Sequence, residues 1–162
     1  MLRRFVLRTF GRTLMPVAWR EALSVSNDLI DADHRHLLSL INTFEEIFTA
    51  DRPIADLLAA IGELRDYTHT HFAREERIML ALRYASYDHH KLAHANLIEK
   101  LDQAVKPLRE LGEVLAATAA ALPEEIRDSL VGLLRQWLVE HIMGEDMQLK
   151  PLLAGRPKNF AP

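Results

Sequence analysis

Four groups of side chains along this chain have the types and spacing to bind metal. His71 and Glu75 lie four residues apart, and so do His90 and His94. On a helix, that spacing puts both members of a pair on one face, about 6 Å apart along the axis. A His–His or His–Glu pair so placed can chelate one ion or bridge two. His141 and Asp146, five apart, add a third cluster, and His34 a fourth position. Together they offer five imidazoles and two carboxylates. Seven donors are too many for one tetrahedral zinc; they suit two octahedral ions that share bridges and keep one position open. Imidazole mixed with carboxylate is a donor set that suits iron, among others.

These residues sit where apolar side chains would be expected. From residue 30 onward the apolar positions recur with a helical period. The first inward stripe reads Ile30, His34, Leu37, Ile41, Phe44, Phe48. Asp51-Arg52-Pro53 breaks it, and Pro53 suits the first turn of the next helix. The second stripe reads Leu57, Ile61, Leu64, Thr68, His71, Glu75, Ile78, Leu82. A turn is expected at 84–88, with Ser86 or Asp88 as cap. The third reads His90, His94, Leu97, Leu101, Ala104, Leu108, Leu111, Leu115, with Pro107 expected to kink or reset it. Leu122-Pro123-Glu124-Glu125 restarts the chain, with acids where the helix dipole favours them. The fourth stripe reads Leu130, Leu133, Trp137, His141 and stops at Gly144, before a short final turn to Leu153. Ionisable groups on apolar seams must be paired or metal-bound. A lone inward histidine is usually a satisfied core residue, but four helices misplacing ligands together is not an ordinary coincidence.

No stretch alternates with period two, so the fold class is all-α. Four amphipathic helices with short connections make an up-down-up-down four-helix bundle. The expected organisation is an Arg-rich N-terminal arm over 1–17, the bundle over 18–154, and a loose Pro/Gly-rich tail over 155–162.

The histidines divide by helical phase. His36 lies about 200° from His34 around the helix, His69 as far from His71, and His89 about 100° from His90. All three are expected on the surface. Glu76 reads as a solvated acid or an outer partner of a ligand. Glu45 shares a face with His34 but lies about 16 Å along it, too far to ligate the same pair.

The linked motifs resemble those of the hemerythrin family, and most closely its bacterial members. They are Ile30-Asp31-Ala32-Asp33-His34; Tyr67-Thr68-His69-Thr70-His71-Phe72-Ala73-Arg74-Glu75-Glu76; His90-x3-His94; and Trp137-Leu138-Val139-Glu140-His141-x4-Asp146. The resemblance covers about residues 18–153 and includes Trp19 before the first helix. It implies a hemerythrin-like bundle holding two iron ions (Fe2+/Fe3+) with an oxo or hydroxo bridge. By this resemblance His90, His94 and His141 hold one iron, His34 and His71 hold the other and leave it an open site, and Glu75 and Asp146 bridge the two. The activity implied is reversible binding of molecular oxygen at the open iron, for storage, delivery or sensing, without enzymatic turnover. Leu37, Trp19, Ile78 and Leu138 are candidates to line the oxygen pocket. The chain departs from compact members by a longer stretch between His94 and His141 and by the N-terminal arm.

The donor set fits that activity. Ferritin-like di-iron enzymes are carboxylate-rich, whereas this chain offers only two carboxylates. Neutral imidazoles leave more positive charge on the metals and disfavour high-valent oxidising states. Two other classes stand beside oxygen binding: a di-iron enzyme acting on nitric oxide or peroxide, and an iron-handling module. A stable adduct on exposure to air favours the first, rapid oxidation with turnover the second, and an unresponsive iron pair the third.

Composition narrows the remaining possibilities. The chain has 162 residues, eight histidines, no cysteine and a formal net charge of −3. Absent cysteine excludes disulfides, thiolate metal sites and a cysteine nucleophile, and suits a reducing, cytoplasmic setting. The near-neutral balance argues against a nucleic-acid partner, and no apolar run approaches the roughly 18 residues of a membrane span. The charge is uneven: Arg3, Arg4, Arg8 and Arg12 give residues 1–19 a charge of +4, leaving −7 on the remainder. Arg4, Arg8 and Arg12 share a helical face, which makes the arm a handle for a membrane surface or a protein partner.

Overall fold

The computed structural model describes residues 16–50, 52–118 and 124–162. The Arg-rich arm through residue 15, the Asp51 break and the 119–123 restart lie outside the described residues, as do the side chains of Leu115 and Trp137.

Four long helices carry the fold: α1 (Asp28–Thr49), α2 (Ile54–Ala81), α3 (Tyr87–Thr118) and α4 (Glu124–Gly144). A 3-10 turn (Asp146–Leu149) and a one-turn α5 (Lys150–Leu153) follow. No strand occurs among the described residues. Helix α1 packs on α2 and α4, and α3 packs on α2 and α4, so the four close a ring. Successive helices run antiparallel, giving the up-down-up-down bundle.

Local chemistry sets the boundaries. Helix α1 starts at Asp28 because Asn27 caps it, its Oδ1 accepting from the N–H groups of Leu29 and Ile30. Helix α2 ends in a Schellman turn: Arg83 adopts a left-handed conformation (φ 52°), with Arg83 N–H returning to Leu80 O and Tyr84 N–H to Met79 O. Ser86 directly precedes α3, and Asp88 lies in its first turn. Helix α3 continues through Pro107 rather than resetting there. Proline sacrifices one backbone hydrogen bond, but Leu101, Val105 and Leu108, on both sides of it, stay fully packed.

The first two stripes are buried as expected up to Ile78. The fourth has a different phase. Its inward residues are Leu130, Val131, Leu134, Leu138, His141 and Ile142, while Leu133 is only half-buried. Leu133 and Leu134 are equally apolar, so composition could not choose between adjacent seams. The fit against α1 does, and one fixed point is the ion pair of Arg135 with the buried Glu45 of α1.

The core has two apolar clusters. The larger spans Leu37, Ile41 and Phe44 of α1, Leu57, Ile61 and Leu64 of α2, Leu101 to Leu108 of α3, and Leu130 to Ile142 of α4. The smaller gathers Val25, Ile30, Ile78, Met79, Leu149 and Leu153. The turn to Leu153 therefore caps one end of the bundle. Residues 155–162, expected to be loose, are tied across the start of α1. Asp28 N–H donates to Lys158 O at 2.7 Å and Asn27 Nδ2 to Phe160 O at 2.9 Å. Phe160 also packs on the smaller cluster. Its aromatic surface supplies the anchor that the tail's Pro/Gly content conceals.

Candidate metal centre

Between the two clusters lies a polar layer. Going along α1 the order is Ile30, His34, Leu37; along α2 it is Leu64, His71, Glu75, Ile78. Helices α1 and α3 deliver their N-terminal ends to this layer, and α2 and α4 their C-terminal ends, as antiparallel packing requires. His34 comes from α1, His71 and Glu75 from α2, His90 and His94 from α3, and His141 from α4. Asp146 comes from the 3-10 turn, because the chain leaves the helix at Gly144 and swings back. None of the seven is more than 5% exposed.

These donors form two groups that share the carboxylates. Glu75, His90, His94, His141 and Asp146 make one; His34, His71, Glu75 and Asp146 make the other. Within each group, one donor atom per residue lies within 4.8 Å of all the others. The close approaches are His141 Nε2 to Asp146 Oδ1 at 3.0 Å, His34 Nε2 to Asp146 Oδ2 at 3.1 Å, His90 Nε2 to Asp146 Oδ1 at 3.2 Å and His94 Nε2 to Glu75 Oε2 at 3.2 Å.

Most of these contacts are close without being aligned as hydrogen bonds. Both nitrogens of His34 and of His90, Nε2 of His71 and of His141, Glu75 Oε1 and both Asp146 oxygens are buried without a hydrogen-bond partner. Every such atom among the described residues belongs to this cluster. Leaving a buried polar atom unpaired costs about 1–3 kcal/mol each. Seven of the nine, the Nε2 atoms of His34, His71, His90 and His141 with Glu75 Oε1 and both Asp146 oxygens, gather in one layer and call for a shared partner, which a metal ion would supply. Donors about 2.1 Å from one ion and at right angles to each other stand about 3.0 Å apart, close to the separations seen here. The residues present fit metal.

The electrostatics of the bare site tell the same story. Burial pushes the His90 imidazole down, but the carboxylates of Asp146 and Glu75 outweigh it and raise it to about 10. The same contest, with Asp146 as the main partner, raises His34. Burial and the neighbouring Asp146 charge push Glu75 up, yet the close imidazoles of His90 and His94 bring it down to about 2. Burial likewise pushes Asp146 up, and His141, His34 and His90 hold it well below the usual carboxylate range. Protons on imidazole thus do part of the neutralising that a cation would do.

An outer layer fixes two of the rings. His94 Nδ1 lies 3.0 Å from Glu76 Oε1, and Lys91 Nζ 3.5 Å from Glu76 Oε2; Glu76 is thus an outer partner. Phe72 stacks on His94 with ring centres 3.7 Å apart and 7° between planes, and also meets His71 and His141. On the other side, His71 Nδ1 lies 3.4 Å from Asp33 Oδ2. Asp33 is buried, pairs with Arg74 and accepts from Tyr67 Oη at 2.7 Å. Burial pushes the Asp33 carboxyl up, and His71, Arg74 and Tyr67 together lower it to about 2. Sequence reasoning missed Asp33. Its only signal was an acid next to His34 on a helix whose partner helix carries Tyr67 and Arg74 four before and three after His71.

His36, His69 and His89 are exposed. His36 packs edge-on against Tyr67, and His89 lies 3.6 Å from Glu145. Of the four residues expected near an oxygen pocket, Leu37 and Leu138 belong to the larger cluster and Ile78 to the smaller. Trp19 is half-buried on the larger cluster under the Arg35 guanidinium. The rings that meet the imidazoles are Phe72 and Tyr84.

Fold and site thus define a four-helix bundle built around a buried histidine–carboxylate cluster with the donor set to hold metal. Residues 25–153 match the family model described as the hemerythrin HHE cation binding domain. The chain is 30% identical over 146 residues to the bacteriohemerythrin of Stenotrophomonas maltophilia (strain R551-3), covering 90% of this chain and 86% of that protein. It is 28% identical over 138 residues to a hemerythrin-like protein of Naegleria gruberi, covering 85% and 94%. It is also 28% identical over 135 residues to the myohemerythrin of Riftia pachyptila, covering 83% and 92%. The chain belongs to the hemerythrin family. That domain implies a non-heme di-iron centre. No helix among the described residues is long and apolar enough to cross a membrane.

Proposed function

We propose that this chain binds molecular oxygen reversibly at a di-iron centre and does so without enzymatic turnover. The observation that carries the reading is the pair of buried donor groups sharing Glu75 and Asp146, with their inward lone pairs unpartnered. In this reading His90, His94 and His141 would hold one iron and His34 and His71 the other, with Glu75 and Asp146 shared between the two groups, and such a pair would supply the redox chemistry for holding and releasing oxygen. The unequal donor groups support the rest: the side of His34 and His71 has one imidazole fewer and so has room for an outside ligand.

The chain's own residues do three things for such a site. Glu75 and Asp146 bring two negative charges into the layer, offsetting part of the metal charge in a medium of low dielectric. Glu76 accepts from the outer nitrogen of His94, so that its Nε2, which faces Glu75 in the bare site, would present a lone pair to a bound metal. Phe72 and the two apolar clusters wall the layer from water, which protects a bound oxidant from hydrolysis and proton leakage.

Metal analysis joined to an anaerobic-to-air optical titration tests the reading. The expected result is two irons per chain and a stable, reversible spectral change on admitting oxygen. Irreversible oxidation with consumption of nitric oxide or peroxide would assign the chain to enzymes instead, and a chain holding one zinc and no iron after iron-replete expression would remove the di-iron reading altogether. Residues 18–154 form the oxygen-binding unit in this proposal, and a cytoplasmic setting, which cysteine-free composition suits, is part of it. The arm over 1–17 is proposed as a handle for a partner. Its deletion should leave oxygen binding intact and abolish recruitment.

A further inference from the structure

Asp33 spends a buried carboxylate on α2. It sits next to His34 on α1 but faces the neighbouring helix, where Arg74 pairs with it and Tyr67 Oη donates to Oδ1 at 2.7 Å. Its second oxygen, Oδ2, lies 3.4 Å from His71 Nδ1. Tyr67, His71 and Arg74 follow one another at helical spacing, so three residues of α2 enclose one carboxylate of α1. Arg74 keeps about a third of its side chain in solvent, while Asp33 is 2% exposed. An ion pair serving only to clamp two helices does not require a candidate ligand histidine on the same carboxylate.

A neutral imidazole carries one N–H. If the Nε2 lone pair of His71 is to face the metal layer, Nδ1 must hold the hydrogen, and Asp33 Oδ2 is the acceptor in reach. His34, the other imidazole of the same donor group, has no hydrogen-bond partner on either nitrogen. His71 is therefore the one ring of that group held from behind. On the other group the corresponding part is played by Glu76 behind His94, nearer the surface and paired with Lys91 rather than Arg.

We infer that Asp33, held by Arg74 and Tyr67, is a positioning residue that fixes the ring and tautomer of His71 and, through its charge, strengthens that imidazole as a donor. This rests on the di-iron reading and adds to it a specific consequence: the iron bound by His34 and His71 depends on Asp33, and the iron of the three-histidine group does not. A carboxylate accepting from the outer N–H of a metal-bound imidazole raises its basicity, and removing such partners weakens metal binding about 10- to 100-fold.

The test is an anaerobic Fe2+ titration of the full chain, with iron counted by atomic absorption, helix content by circular dichroism and midpoint potential by spectroelectrochemistry. Asp33→Ala should weaken the second iron about 10- to 100-fold while the first changes little. Asp33→Asn offers an amide oxygen of the same shape to His71 Nδ1, so it should restore two-iron binding but raise the midpoint potential, because the negative charge is gone. Two irons bound by D33A as tightly as by the wild type would overturn the inference while leaving the di-iron reading intact. If D33A loses helix content, D33N decides: a wild-type potential in D33N overturns the inference and a raised one sustains it. A wild-type chain that takes up fewer than two irons would instead refute the di-iron reading, which the wild-type arm reveals by itself.

Discussion

Removing metal should give this protein an unusual dependence on pH, because His90 then keeps a proton that the unfolded chain would lose. In the folded, metal-free site the Asp146 and Glu75 carboxylates raise His90 from 6.5 to about 10 despite its burial. Between those values the native state binds one proton more than the unfolded state, so stability falls as pH rises. The contribution is complete below 6.5 and lost progressively toward 10. His90 is fully buried, so the shift is not discounted for solvent screening. At pH 8, one and a half units above 6.5 and at about 1.4 kcal/mol per unit, the loss is about 2 kcal/mol. His34, raised for the same reason, adds to it in the same direction. In a domain of this size about 2 kcal/mol lowers Tm by roughly 4–8 °C. Scanning calorimetry of chelator-treated protein between pH 6.5 and 8 measures the slope, and His90→Gln should flatten it. A metal-free Tm that stays level or rises over that range would falsify the electrostatic reading of the site.

Other outcomes follow from the same geometry. Metal loading at pH 7 should release about one proton per chain from His90, measurable by titration calorimetry in two buffers of different ionisation enthalpy; His90→Gln should abolish that proton. Phe72→Ala removes the ring stacked on His94 and should cost about 3–5 kcal/mol by denaturant melts, with faster loss of any oxygen adduct in stopped-flow as water enters. Asn27→Ala deletes both the α1 cap and the tie to Phe160 O and should cost about 1–2 kcal/mol, with amide exchange at 28–31 rising first. Glu75→Gln should reduce both irons in atomic absorption, because Glu75 belongs to both donor groups; loss of only one would refute its bridging role. Asp33, lowered from 3.8 to about 2 by His71, Arg74 and Tyr67 against burial, contributes about 2 kcal/mol above pH 3.8, lost as pH falls through 2. Asp33→Asn should lessen the acid sensitivity of unfolding accordingly.

Much of this was legible in the sequence, for a physical reason. A helix repeats every 3.6 residues, so side chains four apart must share a face, and ionisable groups on an apolar face must have partners. That reasoning puts His34, His71, Glu75, His90, His94 and His141 on inward faces without coordinates, and it sends His36, His69 and His89 outward; Asp146, beyond the end of α4, joins them only by its nearness to His141 and by the family resemblance. It also gives an all-α bundle with four long helices. It does not choose between neighbouring apolar residues. Along α4 the seam runs through Leu134 and Leu138 rather than Leu133, which only contact with α1 decides.

Only the tertiary structure decided what stands behind the ligands. Asp33 and Arg74 are 41 residues apart and meet because α1 and α2 are antiparallel neighbours; no local pattern announces such a pair. The tail is the same case. Its Pro/Gly content reads as loose, yet Lys158 and Phe160 reach Asp28 and Asn27 because the bundle brings the end of the chain beside its first long helix. Periodicity is a property of one helix and survives in one dimension. The choice of partner is a property of two, and it appears only when they pack.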